Sequence, residues 1–308
     1  QAIDLIHERS WVGRKPGLER TQALLARMGN PERTLKFVHI TGTNGKGSTA
    51  AMTASVLAAA GYRTGLFTSP HLFRFHERMQ VNGEPIADET LGRLTEQVLN
   101  LADGMEDFPT EFELMTAVGM AFFAEQKCDI VVLEVGLGGR MDSTNVIPAP
   151  EVAVLTNIGL EHTQELGNTV ALIAKEKSGI LKPGCRCVLY HQSREAEEVV
   201  EGVCRELSIP LTVTAPDTLK VQSVGLDGQV FSYRDAGTFR ISLLGEYQRY
   251  NAITALDIIW SLREKGWKIS DEAIQRGLAD SKWPGRLELA RRDPDFIIDG
   301  GHNPQCVD

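Results

Sequence analysis

Long apolar runs are missing from this sequence: helix-length mixtures such as Ala50 to Ala60 fall short of the roughly 20 residues that a membrane span needs. Positive charge is not in excess either. With 32 Lys and Arg against 41 Asp and Glu, the formal net charge is −9 over 308 residues, which argues against nucleic acid as a partner. Internal repeats, low-complexity tracts and long charge runs are lacking. There is no C-x-x-C pair among Cys128, Cys185, Cys187, Cys204 and Cys306, and the odd total fits a reducing cytoplasm and excludes a small disulfide scaffold. The chain opens at Gln1 with no initiating Met and no basic-then-apolar leader, so no secretory signal is expected and the true start is expected upstream. What is present, 42% hydrophobic and 24% charged residues with 29 glycines, is the composition of a globular protein of one large or two ordinary domains.

Up to about residue 210, short β-branched runs alternate with helical ones. That pattern predicts an α/β fold, a mostly parallel sheet with helices on both faces. Strands are expected at Phe37 to Thr41, Arg63 to Thr68, Asp129 to Val135, Val152 to Ile158 and Arg186 to Tyr190. Helices are expected at Ser48 to Ala60, Asp88 to Leu101, Thr110 to Lys127, Thr169 to Leu181 and Arg194 to Leu207. Thr110 with Glu113 three residues on reads as a capping box. From about 211 to 245 alternation punctuated by Asp227-Gly228 and Asp235-Ala236-Gly237 predicts a small antiparallel piece. Helices at Tyr247 to Lys265 and Ser270 to Leu278 and a strand at Phe296 to Asp299 follow. The chain then ends within loop-like sequence, so a further domain is expected beyond it.

The sharpest signal is Thr41-Gly42-Thr43-Asn44-Gly45-Lys46-Gly47-Ser48, between an apolar strand and an alanine-rich helix. Glycines allow backbone N–H groups to converge on one cavity, and the helix N-terminus adds partial positive charge. Such a cradle suits a polyphosphate. Lys46 is placed to neutralise the β and γ phosphates and the Ser48 hydroxyl to meet Mg²⁺. Gly47 between lysine and hydroxyl departs from the common G-x-x-x-x-G-K-[ST] form.

Further motifs accompany this loop: Gly17-Leu18-Glu19-Arg20, Thr68-Ser69-Pro70-His71-Leu72, Glu77-Arg78-Met79, Val81-Asn82-Gly83, Thr110-Glu111-Phe112-Glu113, Glu134-Val135-Gly136-Leu137-Gly138-Gly139-Arg140 and Asp299-Gly300-Gly301-His302-Asn303-Pro304. Together they resemble folylpolyglutamate synthase/dihydrofolate synthase, a branch of the Mur-ligase superfamily of ATP-dependent amide ligases, over nearly the whole chain. The resemblance implies a Mur-ligase-type central ATP-binding domain over 1–298. Residues 299–308 would begin a linker to a C-terminal Rossmann-like domain, which this chain does not contain.

Glu134 ends a buried-looking strand beside a glycine-rich turn, where ligand sites of open α/β sheets gather. A carboxylate facing a triphosphate is costly unless a divalent cation sits between them. His162 follows another strand; a lone loop histidine is ordinarily a surface residue. Lys177 is by composition an ordinary solvated helix lysine. The resemblance changes both readings. It implies that Ser69, Glu134 and His162 are Mg²⁺ ligands, with Ser48 on the same metal or its water. It further implies that Lys177 is carbamylated and binds a second Mg²⁺. Lys46, Lys177 and His162 thus become the candidate catalytic residues.

The resemblance also assigns ATP to Thr43, Asn44, Gly45, Lys46, Gly47 and Ser48 and, through Gly245-Glu246-Tyr247-Gln248-Arg249-Tyr250-Asn251, to Asn251. An Asn early in a helix reads equally as a surface residue. Arg286, whose guanidinium suits phosphate, and Asp299 and His302 of the linker complete the nucleotide set. For the acceptor, similarity points to Leu18, Thr110, Glu111, Phe112, Glu113, Arg140 and Asp142, with Phe112 suited to stacking on a pterin or aminobenzoyl ring. Small departures are Glu161 where Asp is common, Tyr247 where His is frequent and Gly301 where Ala is usual. The implied reaction joins L-glutamate to dihydropteroate or a folate through an acyl phosphate, in a cytoplasmic monomer that uses small-molecule substrates, no nucleic acid and no membrane. A peptidoglycan Mur ligase and a nucleotide-binding module without turnover are the alternatives. A P-loop kinase or GTPase fits less well, because the loop is the wrong variant and no Asn-Lys-x-Asp sequence is present.

Overall fold

The computed structural model describes Ile6 and residues 16–301; of the candidate site residues, His302 lies outside them. The main sheet is built from β1 (Phe37–Thr41), β2 (Thr64–Phe67), β3 (Met79–Val81), β4 (Glu84–Pro85), β5 (Ile130–Glu134), β6 (Val152–Leu155), β7 (Arg186–Leu189) and β8 (Leu211–Val213), in the order β4-β3-β2-β5-β1-β6-β7-β8. From β2 to β8 every neighbouring pair is parallel; β3 and β4 form an antiparallel edge. Strands β1 and β5 are buried along their whole length, as expected of parallel strands covered on both faces. Alternate side chains feed opposite cores: Val38, Ile40, Ile130 and Val132 enter one, Phe37, Val131 and Leu133 the other.

Helices α1 (Glu19–Arg27), α2 (Lys46–Ala59), α3 (Asp88–Ala102), α4 (Glu111–Glu125), α5 (Thr163–Leu166), α6 (Val170–Lys177), α7 (Arg194–Glu206), α8 (Glu246–Glu264) and α9 (Asp271–Asp280) surround the sheet. Residues of α2, α8 and α9 form one core with a small antiparallel sheet, β9 (Lys220–Gly225), β10 (Gly228–Ser232) and β11 (Thr238–Ile241). That sheet is anchored to α8 through Tyr233, whose hydroxyl donates to Asp257 Oδ2 at 2.8 Å and whose ring stacks on Trp260. Helices α1, α3 and α4 pack the opposite face. Among the described residues no helix is long and apolar enough to cross a membrane.

Five features differ from the sequence expectation. Leu211–Val213 joins the main sheet parallel to β7, so the antiparallel sheet starts only at Lys220. A three-residue strand carries too little alternation to reveal its partner. The β3–β4 hairpin and α1 were not anticipated, nor was the pairing of β12 (Glu288–Arg291) with β13 (Phe296–Ile298). The α6 helix gives way to a 3-10 turn at Ser178, short of the expected Leu181.

Helix α9 crosses α2 at Gly277, where an added Cβ would overlap Val56 Cα and lie 2.7 Å from Val56 N. Backbone this close cannot yield. Gly277→Ala is therefore expected to destabilise the fold by about 2 kcal/mol, read as a lower midpoint in thermal unfolding.

Candidate active site

Register brings the site together. Ile40 of β1 lies level with Glu134 of β5 and Val154 of β6, so the loops leaving these three central strands emerge side by side at the carboxyl ends of the strands. In the loop after β1, Gly42 is pressed against Thr156, leaving no room for a Cβ. The Thr156 hydroxyl donates to Asn44 O at 2.8 Å, and Thr43 N–H donates to Asn157 O at 2.7 Å. Asn44 N–H reaches the same carbonyl at 3.4 Å. The amides of Thr43 and Asn44 are thus directed at the carbonyl of Asn157, just beyond β6, while both residues still line the cavity. Gly45, at φ 84°, turns the chain into α2 in a left-handed conformation that glycine adopts at little cost. The amides of Lys46, Gly47 and Ser48 head that helix, where no intrahelical acceptor exists for them. Lys46 Nζ donates to Gly42 O at 2.9 Å and Thr43 O at 3.1 Å.

These groups face a cavity of about 1290 Å³. Thr43 to Ser48 line it, together with Ser69, Glu134, His162, Lys177, Asn251, Arg286 and Asp299. Glu134 is only 4% exposed and accepts the Ser69 N–H at 3.0 Å through Oε2. Burial raises its pKa to about 7, against the opposing pull of Lys46, Arg286 and Arg78. Lys177, 2% exposed at the end of α6, has its pKa lowered to about 7, first by burial and then by Lys46. His162, with 48% of its side chain exposed, adopts φ 49°, a left-handed conformation uncommon for a residue with a Cβ.

The residues suit a hard divalent cation, which would draw on carboxylate, hydroxyl and imidazole donors around a buried acid of raised pKa. Among the described residues no three His, Cys, Asp or Glu side chains form a protein cage for a metal. Glu134, a buried carboxylate lining the same cavity as the phosphate loop, is the kind of donor that Mg²⁺ shares with substrate phosphates.

Asp299 accepts from Leu287 N at 2.8 Å and Gly301 N at 2.7 Å, and Tyr247 donates its hydroxyl to the same carboxylate at 3.3 Å. The acceptor candidates Leu18, Thr110, Glu111, Phe112, Glu113, Arg140 and Asp142 are not among the residues lining this cavity. Several are engaged elsewhere. Glu113 closes the capping box with Thr110 and takes Arg20 Nη2 at 2.9 Å. Arg140 pairs with Glu176 at 3.0 Å. Asp142 accepts the amides of Leu137 and Thr144, fixing the turn after β5. The Phe112 ring lies on Gly136, where an added Cβ would come within 2.5 Å of Cζ.

Sequence reasoning gave no role to Glu77, Gln248 or Trp283. Burial works to raise the pKa of Glu77, but the amides of Leu72, Arg74 and Phe73 hold it below its ordinary value. Glu77 thereby shapes the loop after the cis Ser69–Pro70 peptide. Trp283 covers Gly47, where a Cβ would come within 2.7 Å of the indole. The Glu77-Arg78-Met79 motif and the Gly245-to-Asn251 motif, which contains Gln248, offered the signal for the first two.

Residues 40–259 match the family model for the Mur ligase middle domain. A dihydrofolate synthase/folylpolyglutamate synthase of Bacillus subtilis (strain 168) is 41% identical over 98% of this chain and 73% of its own length. A folylpolyglutamate synthase of Lacticaseibacillus casei is 36% identical over 100% of this chain and 74% of its own. An FPGS-AMPPCP-folate complex superposes with a TM-score of 0.92 at 34% identity, covering 99% of this chain and 77% of the other.

Proposed function

This chain belongs to the Mur ligase family, among the folylpolyglutamate and dihydrofolate synthases, and from that we propose that it is an ATP-dependent ligase adding L-glutamate to dihydropteroate, to folates, or to both. The observation that carries the reading is the convergence of the Gly-Lys-Gly-Ser loop, Glu134 and Lys177 on one cavity at the carboxyl ends of the central strands. In this reading a carboxylate oxygen of the acceptor bonds to the γ-phosphorus of ATP as the bond to the bridging oxygen breaks, and ADP leaves. The glutamate amine then attacks the activated carbonyl carbon, phosphate departs with the C–O electron pair, and the nitrogen gives up a proton. All three reactants are anions, so the protein's main task is electrostatic.

Lys46, turned out from its carbonyl acceptors, would hold the β and γ phosphates, with the amides of Lys46, Gly47 and Ser48 beside it. Asn251, Arg286 and Asp299 would border the rest of the nucleotide. Ser48, Ser69, Glu134 and His162 would hold magnesium, and a carbamylated Lys177 a second ion. Bound magnesium would neutralise phosphate charge and orient the acceptor carboxylate. Burial supports the carbamate, because an amine disfavoured as ammonium is the form that combines with CO₂. We read residues 1–298 as the ATP-binding unit, acting as a monomer in the reducing cytoplasm, and the described cysteines are free and buried in keeping with that setting.

The test is ADP release from ATP and Mg²⁺ with L-glutamate, offering dihydropteroate, tetrahydrofolate or a peptidoglycan precursor in turn. Release with either pteroate acid and not with the precursor is expected. Release on the precursor, or nucleotide binding with no release in any mixture, would overturn the proposal.

A further inference from the structure

Building on the ligase reading, we propose that Gln248 is a positioning residue that sets the Ser48 hydroxyl from behind the phosphate loop and ties it to Asn251. Gln248 lies near the start of α8, is 0% exposed and does not line the cavity. Its Nε2 donates to Ser48 Oγ at 3.2 Å, and its Oε1 accepts from Asn251 Nδ2 at 3.1 Å. Asn251 in turn lies so close to Gly45 that an added Cβ would come within 3.3 Å of its Cγ. Helices α2 and α8 both begin at the cavity, and this run of side chains joins their first turns.

The anchorage on the α8 side is firm. Arg249 Nη1 donates to Gln229 Oε1 at 2.7 Å, and Gln229 Nε2 donates to Leu243 O and Gly245 O at 2.8 Å each. Gln248 is therefore held by its own helix while it addresses a residue on another.

The consequence follows from hydroxyl chemistry. A serine that accepts a bond from an amide keeps its own proton and a second lone pair for the cavity. Deprived of that donor, Ser48 is free to turn its proton onto the carbonyl one helical turn back, as mid-helix serines do. The same amide links Ser48, on the phosphate and metal side, to Asn251, on the nucleotide side. Gln248 touches no reacting atom and acts through these two.

The test is a double-mutant cycle on binding of β,γ-methylene ATP, measured calorimetrically with Mg²⁺ and with EDTA. Gln248→Met is expected to weaken binding about tenfold in Mg²⁺ and less than about twofold in EDTA, the loss of one neutral hydrogen bond. Ser48→Ala is expected to do the same, and the double variant to fall within about twofold of Ser48→Ala alone. Losses that multiply, or that are equal in EDTA, would overturn the proposal. Should Gln248→Met fail to fold by circular dichroism, Gln248→Glu, which keeps the volume but donates nothing when ionised, carries the same cycle. A wild-type chain that binds no nucleotide overturns the ligase reading and this proposal with it, whereas multiplying losses overturn this proposal alone.

Discussion

Replacing Glu134 by Gln is expected to cut ADP formation at least about a thousandfold while stabilising the metal- and nucleotide-free protein by up to about 3 kcal/mol at alkaline pH. The two effects share one cause. Burial drives the pKa of Glu134 from 4.5 to about 7, so the empty site bears the cost of a desolvated charge. Below pH 4.5 the carboxyl is protonated in both folded and unfolded chains, and the substitution changes nothing through this route. Between pH 4.5 and 7 the unfolded chain ionises while the folded one resists, and the advantage of the amide grows. Above that it is constant. Gln keeps an acceptor for the Ser69 amide. Urea unfolding in EDTA across this pH range reads the effect; a variant less stable than the wild type above pH 7 would contradict the account.

Lys177→Met is expected to show the mirror image. Its pKa falls from 10.5 to about 7 through burial and then through Lys46, so the folded chain releases a proton that the unfolded chain keeps. The cost is complete below pH 7 and disappears as pH approaches 10.5. In CO₂-free buffer Met should therefore stabilise the protein by about 4 kcal/mol at the acid end of this window and by nothing at its alkaline end. Turnover should drop at least about a hundredfold. The carbamate adds a separate readout. Stripping CO₂ should slow the wild type and bicarbonate restore it, while Lys177→Met responds to neither. A wild type indifferent to CO₂ would remove the carbamate from the account and leave the unfolding prediction standing.

Sites built on two titratable groups with opposite costs are expensive to keep empty, and that tension is the usual mark of function over stability. Part of it was legible in the sequence. The phosphate loop announces itself because lysine, serine and glycines are adjacent and sit between a strand and a helix. Glu134 was readable from its place at a strand end. What could not be read were partnerships across the chain. Gln248 and Ser48 are 200 residues apart, and Arg20 and Glu113 are 93 apart. The capping box of Thr110 and Glu113 was readable locally, but no local pattern reports that Arg20 takes the same carboxylate. The bonds from the Thr43 and Asn44 amides to the Asn157 carbonyl, 114 and 113 residues away, are equally invisible to a local reading. Short elements escaped for a related reason, since β4 and β8 hold two and three residues, too few for a period.

The most direct measurement labels the acceptor carboxylate of dihydropteroate or tetrahydrofolate with ¹⁸O and follows the label during turnover with ATP, Mg²⁺ and L-glutamate. An acyl phosphate requires one labelled oxygen to leave with the phosphate, and the account predicts phosphate carrying a single ¹⁸O. Unlabelled phosphate released in step with amide formation would contradict it.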